Sequence, residues 1–357
     1  MRTLVVSDLH LGADTGVDVL RGDVALQPLL DELETIDRLV LLGDTLELRH
    51  GPAAIALTAA RPVLERIGQT LPRHAEIVVL PGNHDHSLVS THLAERTEPL
   101  ELETAVPLDR VSPVGQQLAG ALGLDRTRFA YPGIWLREDV YATHGHFGDV
   151  HTTLPMFERL AAGVMAHLGA AVPDHDAVPH HYERALAPLY AWVDATAQRA
   201  PSDAELATDG GGMHLYRVLT TRGRRPLSHR ALGVGFPLAI RALVPWIGPL
   251  SADLSVAAVR RSALTAMGEV IRRLQIDAEH VIFGHTHRAG PLPGDHDHEW
   301  RTDTGVRMHN TGNWVLERHF MPTPHVANPY WPGSAILLED SAPPELKRLL
   351  GDFVSYA

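Results

Sequence analysis

The sequence predicts an α/β fold that carries a helical insertion. Three observations predict it. Short apolar runs ending in Gly, Asp, Asn or His recur through the first 90 residues. Stretches with helical periodicity fill the gaps between them, the pattern of a mainly parallel sheet with crossover connections. Between residues 151 and 276 the strand signals fade and apolar residues recur at helical spacing, before strand-like runs return.

The first strand is expected at 4–6, ending in Ser7-Asp8, and a helix at 17–36. A second strand at 39–42 ends in Gly43-Asp44 and precedes a helix at 53–70. A third at 77–80 runs into Pro81-Gly82-Asn83. Pro99, Pro107, Pro113, Gly115 and Pro132 make 98–133 read as loops with one short helix at 116–122. One strand is expected at 134–143, ending at His144, and another at 281–283, ending in Gly284-His285. Runs at 308–310 and 335–338 read as closing strands.

Met156, Leu160, Val164, Met165 and Leu168 mark the helical stretch, with breaks expected at Pro173, Gly210 to Gly212 and Gly223. This divides the chain into a catalytic framework, residues 1–150 plus 276–357, and a helical insertion or cap, residues 151–275. The apolar stretch holding Phe236, Leu238, Ile240, Leu243, Val244, Trp246, Ile247 and Leu250 reads as a helix packed into the insertion. Its other readings are a lipid-binding or peripheral membrane surface, and a homodimer contact.

Composition narrows the chemistry. The 357 residues are 45% apolar, which indicates a globular chain. The net charge of -12, from 43 acidic and 31 basic side chains, argues against long nucleic acid as a partner. There is no cysteine, so disulfides and thiolate metal sites are excluded. A metal here must use imidazole, carboxylate, amide or water, and 23 histidines are available. Met1 leads directly into a strand-like run without a secretory-signal pattern. The stretch 231–250 is interrupted by Pro237, Arg241, Pro245 and Pro249, so no membrane span is expected. A cytoplasmic location is the expectation.

Five segments carry the chemistry: Asp8-Leu9-His10, Gly43-Asp44, Gly82-Asn83-His84-Asp85, His144-Gly145-His146 and Gly284-His285-Thr286-His287. Each is common alone. Together, each follows a strand-like run, so all can converge on one sheet edge, where parallel sheets bind ligands. Residues two apart in extended chain point the same way, so Asp8 with His10, and His285 with His287, are expected to face one cation each. Asp44 has two oxygens, suited to bridging two ions. Asn83 adds an amide oxygen and His144 an imidazole. Seven nitrogen and oxygen ligands exceed one tetrahedral zinc site and suit a pair of divalent ions.

In order and placement these segments resemble the five motifs of the calcineurin-like metallophosphoesterase superfamily. His309-Asn310-Thr311-Gly312-Asn313-Trp314 is similar to a strand end found downstream in many members. The resemblance implies a four-layer α/β/β/α sandwich and two divalent metal ions, manganese first, with iron, zinc or cobalt as alternatives. One ion would take Asp8, His10, Asp44 and His287, the other Asp44, Asn83, His144 and His285. His84 would protonate the leaving oxygen and Asp85 would orient His84. The family's His-Gly order favours His144 over His146 as the ligand, which leaves His146 and His151 as substrate-facing or structural residues.

Ser7-Asp8-Leu9-His10-Leu11-Gly12 looks most like the UDP-2,3-diacylglucosamine hydrolase group, although that group has Asn-Arg-Asp where this chain has Asn83-His84-Asp85. The resemblance therefore implies hydrolysis of a phosphodiester or pyrophosphate bond in a small-molecule substrate, lipid- or nucleotide-linked. A nuclease or cyclic-nucleotide phosphodiesterase is the alternative within enzymes, and a non-catalytic scaffold the alternative outside them. His86 reads as a solvated or outer residue. Asp295-His296-Asp297-His298-Glu299 reads as an exposed polar loop before a metal tract, and Arg222, Arg224 and Arg225 as a solvated turn before a phosphate site.

Overall fold

A computed structural model describes residues 1–154, 157–199, 250, 253, 256–317, 321 and 325–351. Met156, the glycines at 210–212 and 223, the arginines at 222, 224 and 225 and the apolar residues 236–247 lie outside the described residues. The chain divides into two compact units. One is Met1–His146 with Ala197–Ser202 and Asp277–Ala357; the other is Phe147–Thr196 with Asp203–Ile276.

The first unit is built on β1 (Arg2–Val6), β2 (Arg38–Leu42) and β3 (Glu76–Leu80). Each has one half-buried residue followed by four buried ones, the signature of parallel strands covered on both faces. They pair in parallel, with Leu4 opposite Leu39 and Leu39 opposite Ile77. Helix α1 (Asp23–Leu33) buries Leu26, Leu29, Leu30 and Leu33, and α2 (Ala53–Thr70) buries Leu57, Val63, Leu64 and Ile67, each an apolar stripe of helical period. The helix expected over 17–36 is shorter. Gly22 is extended, so a 3-10 turn at Val19–Arg21 stands apart from α1. Asp18 anchors that turn, accepting from the Gly12 amide (2.9 Å) and Arg21 (2.6 Å).

The stretch expected to be mostly loop holds more structure. After α3 (Ser90–Glu95), it contains β4 (Glu103–Val106) and, over the expected short helix, α4 (Pro113–Leu122), capped by Ser112 with proline at its first position. The strand expected over 134–143 is a hairpin, β5 (Thr127–Arg137) and β6 (Val140–Thr143), paired antiparallel. The polar residues Glu138-Asp139 form its turn, and the prolines at 107 and 132 had obscured β4 and the start of β5. Strands β7 (His280–Phe283), β8 (Arg307–Asn310), β9 (Ser334–Glu339) and β10 (Glu345–Arg348) follow. β10 escaped the sequence because it is a charged edge strand with one apolar residue, Leu346, against the core, and is otherwise held by backbone pairing to β9.

The strand order is β10-β9-β1-β2-β3-β5-β6-β7-β8, with β4 on β5. β5 is the hinge of this path. Its start, Thr127 to Phe129, pairs with β3, and its end, Gly133 to Arg137, pairs with β6. One buried core then draws on both stretches: Val5, Val40, Leu42, Val78 and Leu80 pack with Ile134, Val140, Ala142 and Ile282. Burying each large aliphatic side chain is worth roughly 1.5–3 kcal/mol, so this core is what holds the strand ends in register.

The second unit, among its described residues, contains α5 (Phe157–Met165), a π-helical turn (Ala166–Ala170), α6 (Pro179–Ala197), α7 (Val256–Arg273) and no strand. The ring of Phe147 stacks on Tyr182 at 4.9 Å. Arg273 in the last turn of α7 bonds the carbonyls of Val172 and Pro173 (3.0 and 2.9 Å). No helix among the described residues is long and apolar enough to cross a membrane.

Candidate metal centre

All five segments, and the 310–314 loop, leave the carboxyl ends of strands: Asp8 after β1, Asp44 after β2, Asn83 after β3, His144 after β6, His285 after β7. Backbone bonds lace the loops together. The amides of Asp8, His10 and Leu11 donate to the carbonyls of Gly43, Asp44 and Thr45 (3.1, 2.8 and 3.0 Å). Trp314 donates to the Asp8 carbonyl (3.0 Å), and Asn313 Nδ2 to the His287 carbonyl (2.6 Å). The 310–314 segment thus clamps the first and last ligand loops.

The local conformation differs from the extended one expected. Asp8, His10, Asp44, His285 and His287 have φ of 55°, 44°, 52°, 68° and 57°. Among the described residues only two other non-glycine positions, Asp176 and Gln275, have positive φ. A left-handed non-glycine residue costs on the order of 1–3 kcal/mol and persists only where its surroundings hold it. Strain is therefore concentrated on these donors. It also aims them differently. His285 and His287 do not face one place: His285 turns to Asn83 (Nδ1 to Oδ1, 3.1 Å), His287 to Asp8 (Nε2 to Oδ1, 3.4 Å).

Two constellations result. In the first, His10 Nε2 lies 3.1 Å from His287 Nε2, 4.0 Å from Asp8 Oδ1 and 3.8 Å from Asp44 Oδ2. In the second, His144 Nε2 lies 3.1 Å from both Asp44 Oδ2 and Asn83 Oδ1. Asp44 belongs to both. The ligand atoms of Asp8, His10 and His287, and separately those of Asp44, His144 and His285, fall within 4.8 Å of one another. Gly43 and Gly82 permit this approach. A β-carbon at either would overlap His144, and Gly43 also has φ of 89°.

Ring contacts set which nitrogen of each histidine faces inward. His10 Nδ1 donates to Glu47 Oε2 (2.9 Å), His287 Nδ1 to Glu317 Oε2 (3.1 Å) and His144 Nδ1 to the Leu42 carbonyl (2.9 Å). Each bond turns its ring so that Nε2 points inward, the arrangement of metal-binding histidines. Imidazole nitrogens, carboxylates and an amide oxygen thus meet in a buried space. Burial opposes charge on His144, but Asp44 and Asp8 override it and raise its pKa to about 9. Burial likewise opposes charge on His287, and Glu317 and Asp8 lift it well above the usual imidazole value. Against burial, the imidazoles around Asp44, His144 foremost, keep its carboxyl well below the carboxylate range. The donor set fits divalent cations. Asn83 Oδ1 lies 3.1 Å from both His144 Nε2 and His285 Nδ1. Turned over, its amide would donate to both and to Asp44 (3.2 Å) and accept from Arg49 (3.1 Å).

His84 lies beside the shared carboxylate, its amide donating to Asp44 Oδ1 (2.8 Å). The expectation that Asp85 orients the His84 ring is corrected. Asp85 accepts from four backbone amides, those of Gly82, Asp44, Thr45 and Leu46 (2.7, 3.2, 2.8 and 3.3 Å). It fixes the loop that holds Asp44. Burial and the Asp44 charge push its pKa up to about 6 against the pull of those amides. The carboxylate on the His84 ring is Glu47, whose Oε2 accepts from Nδ1 at 2.8 Å. Glu47, Arg49 and Glu317 escaped the sequence reading. The only local signal for Glu47 is an acid set between Leu46 and Leu48, which bury beside it.

The remaining candidates have other partners. His146 is buried, bonded to the Tyr131 hydroxyl (3.0 Å), and kept neutral by burial and by His144. His86 is buried against the same tyrosine ring rather than solvated. In the 295–299 tract, Asp295 pairs with buried Arg288 (2.6 Å), which also lies over Trp300. In the second unit His151 bonds the Tyr182 hydroxyl (2.8 Å), and burial, aided by Arg273, lowers its pKa to about 4. A histidine with a depressed folded pKa stabilises fully above pH 6.5 and loses that contribution as pH falls toward 4. Between pH 7 and pH 5 this amounts to about 2 kcal/mol, at about 1.4 kcal/mol per pH unit. His151→Gln is expected to lose less stability than the parent over that interval in denaturation curves; equal losses would refute it.

Residues 1–158 match the family model described as calcineurin-like phosphoesterase. The match covers the first four segments, through His144, and ends before His285 and His287, which the fold brings beside Asn83 and Asp8 respectively.

Proposed function

From the premise that residues 1–158 belong to the calcineurin-like phosphoesterase family, which implies metal-dependent phosphoester hydrolysis, we propose that this chain cleaves a phosphodiester or pyrophosphate bond in a small molecule. The observation that carries the reading is the meeting of His10 Nε2 and His287 Nε2, 3.1 Å apart, beside a carboxylate shared with a second constellation. Asp8, His10, Asp44 and His287 would hold one divalent ion, manganese by preference, and Asp44, Asn83, His144 and His285 the other. Such a pair supplies Lewis-acid activation of a phosphoryl oxygen and of a nucleophilic water.

The chain's own groups do the rest. The laced loops keep the donors at fixed separation. His84, its Nδ1 held by Glu47, would deliver a proton to the departing oxygen. We read the framework, residues 1–150 and 276–357, as the four-layer sandwich, 151–275 as a helical insertion, and the substrate as lipid- or nucleotide-linked. The net charge of -12 favours a small substrate over long nucleic acid.

The test is hydrolysis of bis-p-nitrophenyl phosphate, p-nitrophenyl phosphate and a UDP-linked pyrophosphate by manganese-loaded and EDTA-treated protein. Metal-dependent turnover that favours the diester or the pyrophosphate is expected. Preference for the monoester would refute the proposed bond type, and metal-independent turnover would refute the centre.

A further inference from the structure

Ser7 and Thr311 are buried beside the Asp8 carboxylate. Ser7 Oγ bonds Asp8 Oδ2 and lies 2.5 Å from Thr311 Oγ1, a contact across 304 positions. In an extended strand neighbouring side chains point to opposite faces. The left-handed backbone at Asp8, φ 55°, brings the hydroxyl and the carboxylate of adjacent residues together instead. Thr311 reaches them because its amide is pinned to the Phe283 carbonyl (2.9 Å) at the end of β7. Gly284 makes the room: a β-carbon there would overlap both Ser7 Oγ and Asp8 Oδ2.

Proton counting fixes the direction of these bonds. A carboxylate only accepts, so Ser7 donates its one proton to Asp8. The Gly312 carbonyl, 3.5 Å from Ser7 Oγ, is too far to compete for it. Ser7 must then accept from Thr311, whose other acceptor, the Phe283 carbonyl, is farther off at 3.3 Å. The His285 amide adds a bond to Oδ2 (3.0 Å) and a longer one to Oδ1 (3.2 Å). Oδ1 is the oxygen turned to His287 Nε2 (3.4 Å) and His10 Nε2 (4.0 Å). We propose that Thr311 and Ser7 form a relay of two hydroxyls that positions Asp8, spending Oδ2 inside the fold so that Asp8 offers Oδ1 alone to the ion held with His10 and His287. This rests on the phosphoesterase reading for the presence of that ion, while the relay is a property of the folded chain. A carboxylate free to rotate could close on a cation with both oxygens; one held at Oδ2 presents a single donor. Both hydroxyls act on the Asp8 side, so the ion at His10 and His287 is the one that depends on them.

The experiment compares Thr311→Val, Thr311→Ser, Ser7→Ala and the Ser7→Ala/Thr311→Val double variant. Valine keeps the shape of threonine without its hydroxyl, and serine keeps the hydroxyl. Manganese binding is followed by chelator competition and by electron paramagnetic resonance, which separates a lone manganese ion from a coupled pair. Ser7→Ala is expected to weaken one of the two ions about tenfold and leave the other nearly unchanged. Thr311→Val should weaken the same ion by about fivefold, as one hydrogen bond between neutral groups allows. With two equivalents of manganese, both variants should show lone-ion signal where the parent shows the coupled pair. Thr311→Ser should match the parent. In the double variant the loss due to Thr311→Val should vanish, because the relay runs through Ser7.

Equal weakening of both ions, equal losses in the serine and valine variants, or additive losses in the double variant would overturn the proposal. If the parent protein binds two manganese ions but hydrolyses no phosphoester, the phosphoesterase reading falls, and the titrations still decide the relay. A parent protein that binds no divalent ion overturns both. A valine variant that does not fold leaves Ser7→Ala to decide it by the same titration and spectra.

Discussion

Asp44→Asn is expected to lose bound metal and hydrolysis together. Asp44 is the one side chain common to both constellations, with Oδ2 at 3.1 Å from His144 Nε2 and 3.8 Å from His10 Nε2. Its Oδ1 accepts from the His84 amide (2.8 Å). The asparagine amide fills the same space but removes a buried negative charge. In one orientation it also turns an N–H2 group toward the donors. Metal content, measured by mass spectrometry after dialysis, should fall well below the roughly two ions per chain expected of a two-metal centre. Turnover should fall by about 1,000-fold or more, the equivalent of roughly 4 kcal/mol in the barrier. Unchanged turnover at unchanged metal content would overturn the shared role. Turnover lost with metal retained would make Asp44 a catalytic group rather than a ligand.

His84→Ala is expected to separate chemistry from metal binding. The His84 ring is held by Glu47 on one side and packs edge-on against His10 on another. If its function is proton delivery, the cost depends on the leaving group: about 100- to 1,000-fold in kcat for phenol and about tenfold or less for p-nitrophenol. Metal content should be unchanged. The alternative has a geometric basis, since ligand atoms of His10, Asp44 and His84 also lie within 4.8 Å of one another. Loss of metal in this variant, with equal loss on both leaving groups, would make His84 a ligand.

Much of this architecture is legible in the sequence, because strands in a doubly covered sheet need unbroken apolar runs. Arg38–Leu42 and Glu76–Leu80 follow from that requirement, and α2 follows from its helical stripe over Ala53–Thr70. The errors have equally local causes. Gly22 cut the first helix, Glu138-Asp139 folded one expected strand into a hairpin, and the charged β10 has a single apolar residue, Leu346, to show. At the centre, the chain signalled donor types but not their conformation. Alternation in an extended strand was the natural reading of Asp8-Leu9-His10, and the backbone is left-handed at both donors instead.

The sequence by itself determined the donor chemistry, nitrogen and oxygen without sulfur, and the strand ends that carry it. Only the tertiary structure decided which donors meet. His10 joins His287 across 277 positions, and His285 joins Asn83 across 202. It also decided that Asp85 secures backbone amides while Glu47 grips His84. The physical reason is range. Apolar periodicity reports what each segment buries against its own neighbours. The partner of a buried carboxylate or imidazole is chosen by loops that converge only once β5 has joined the strands on either side of it.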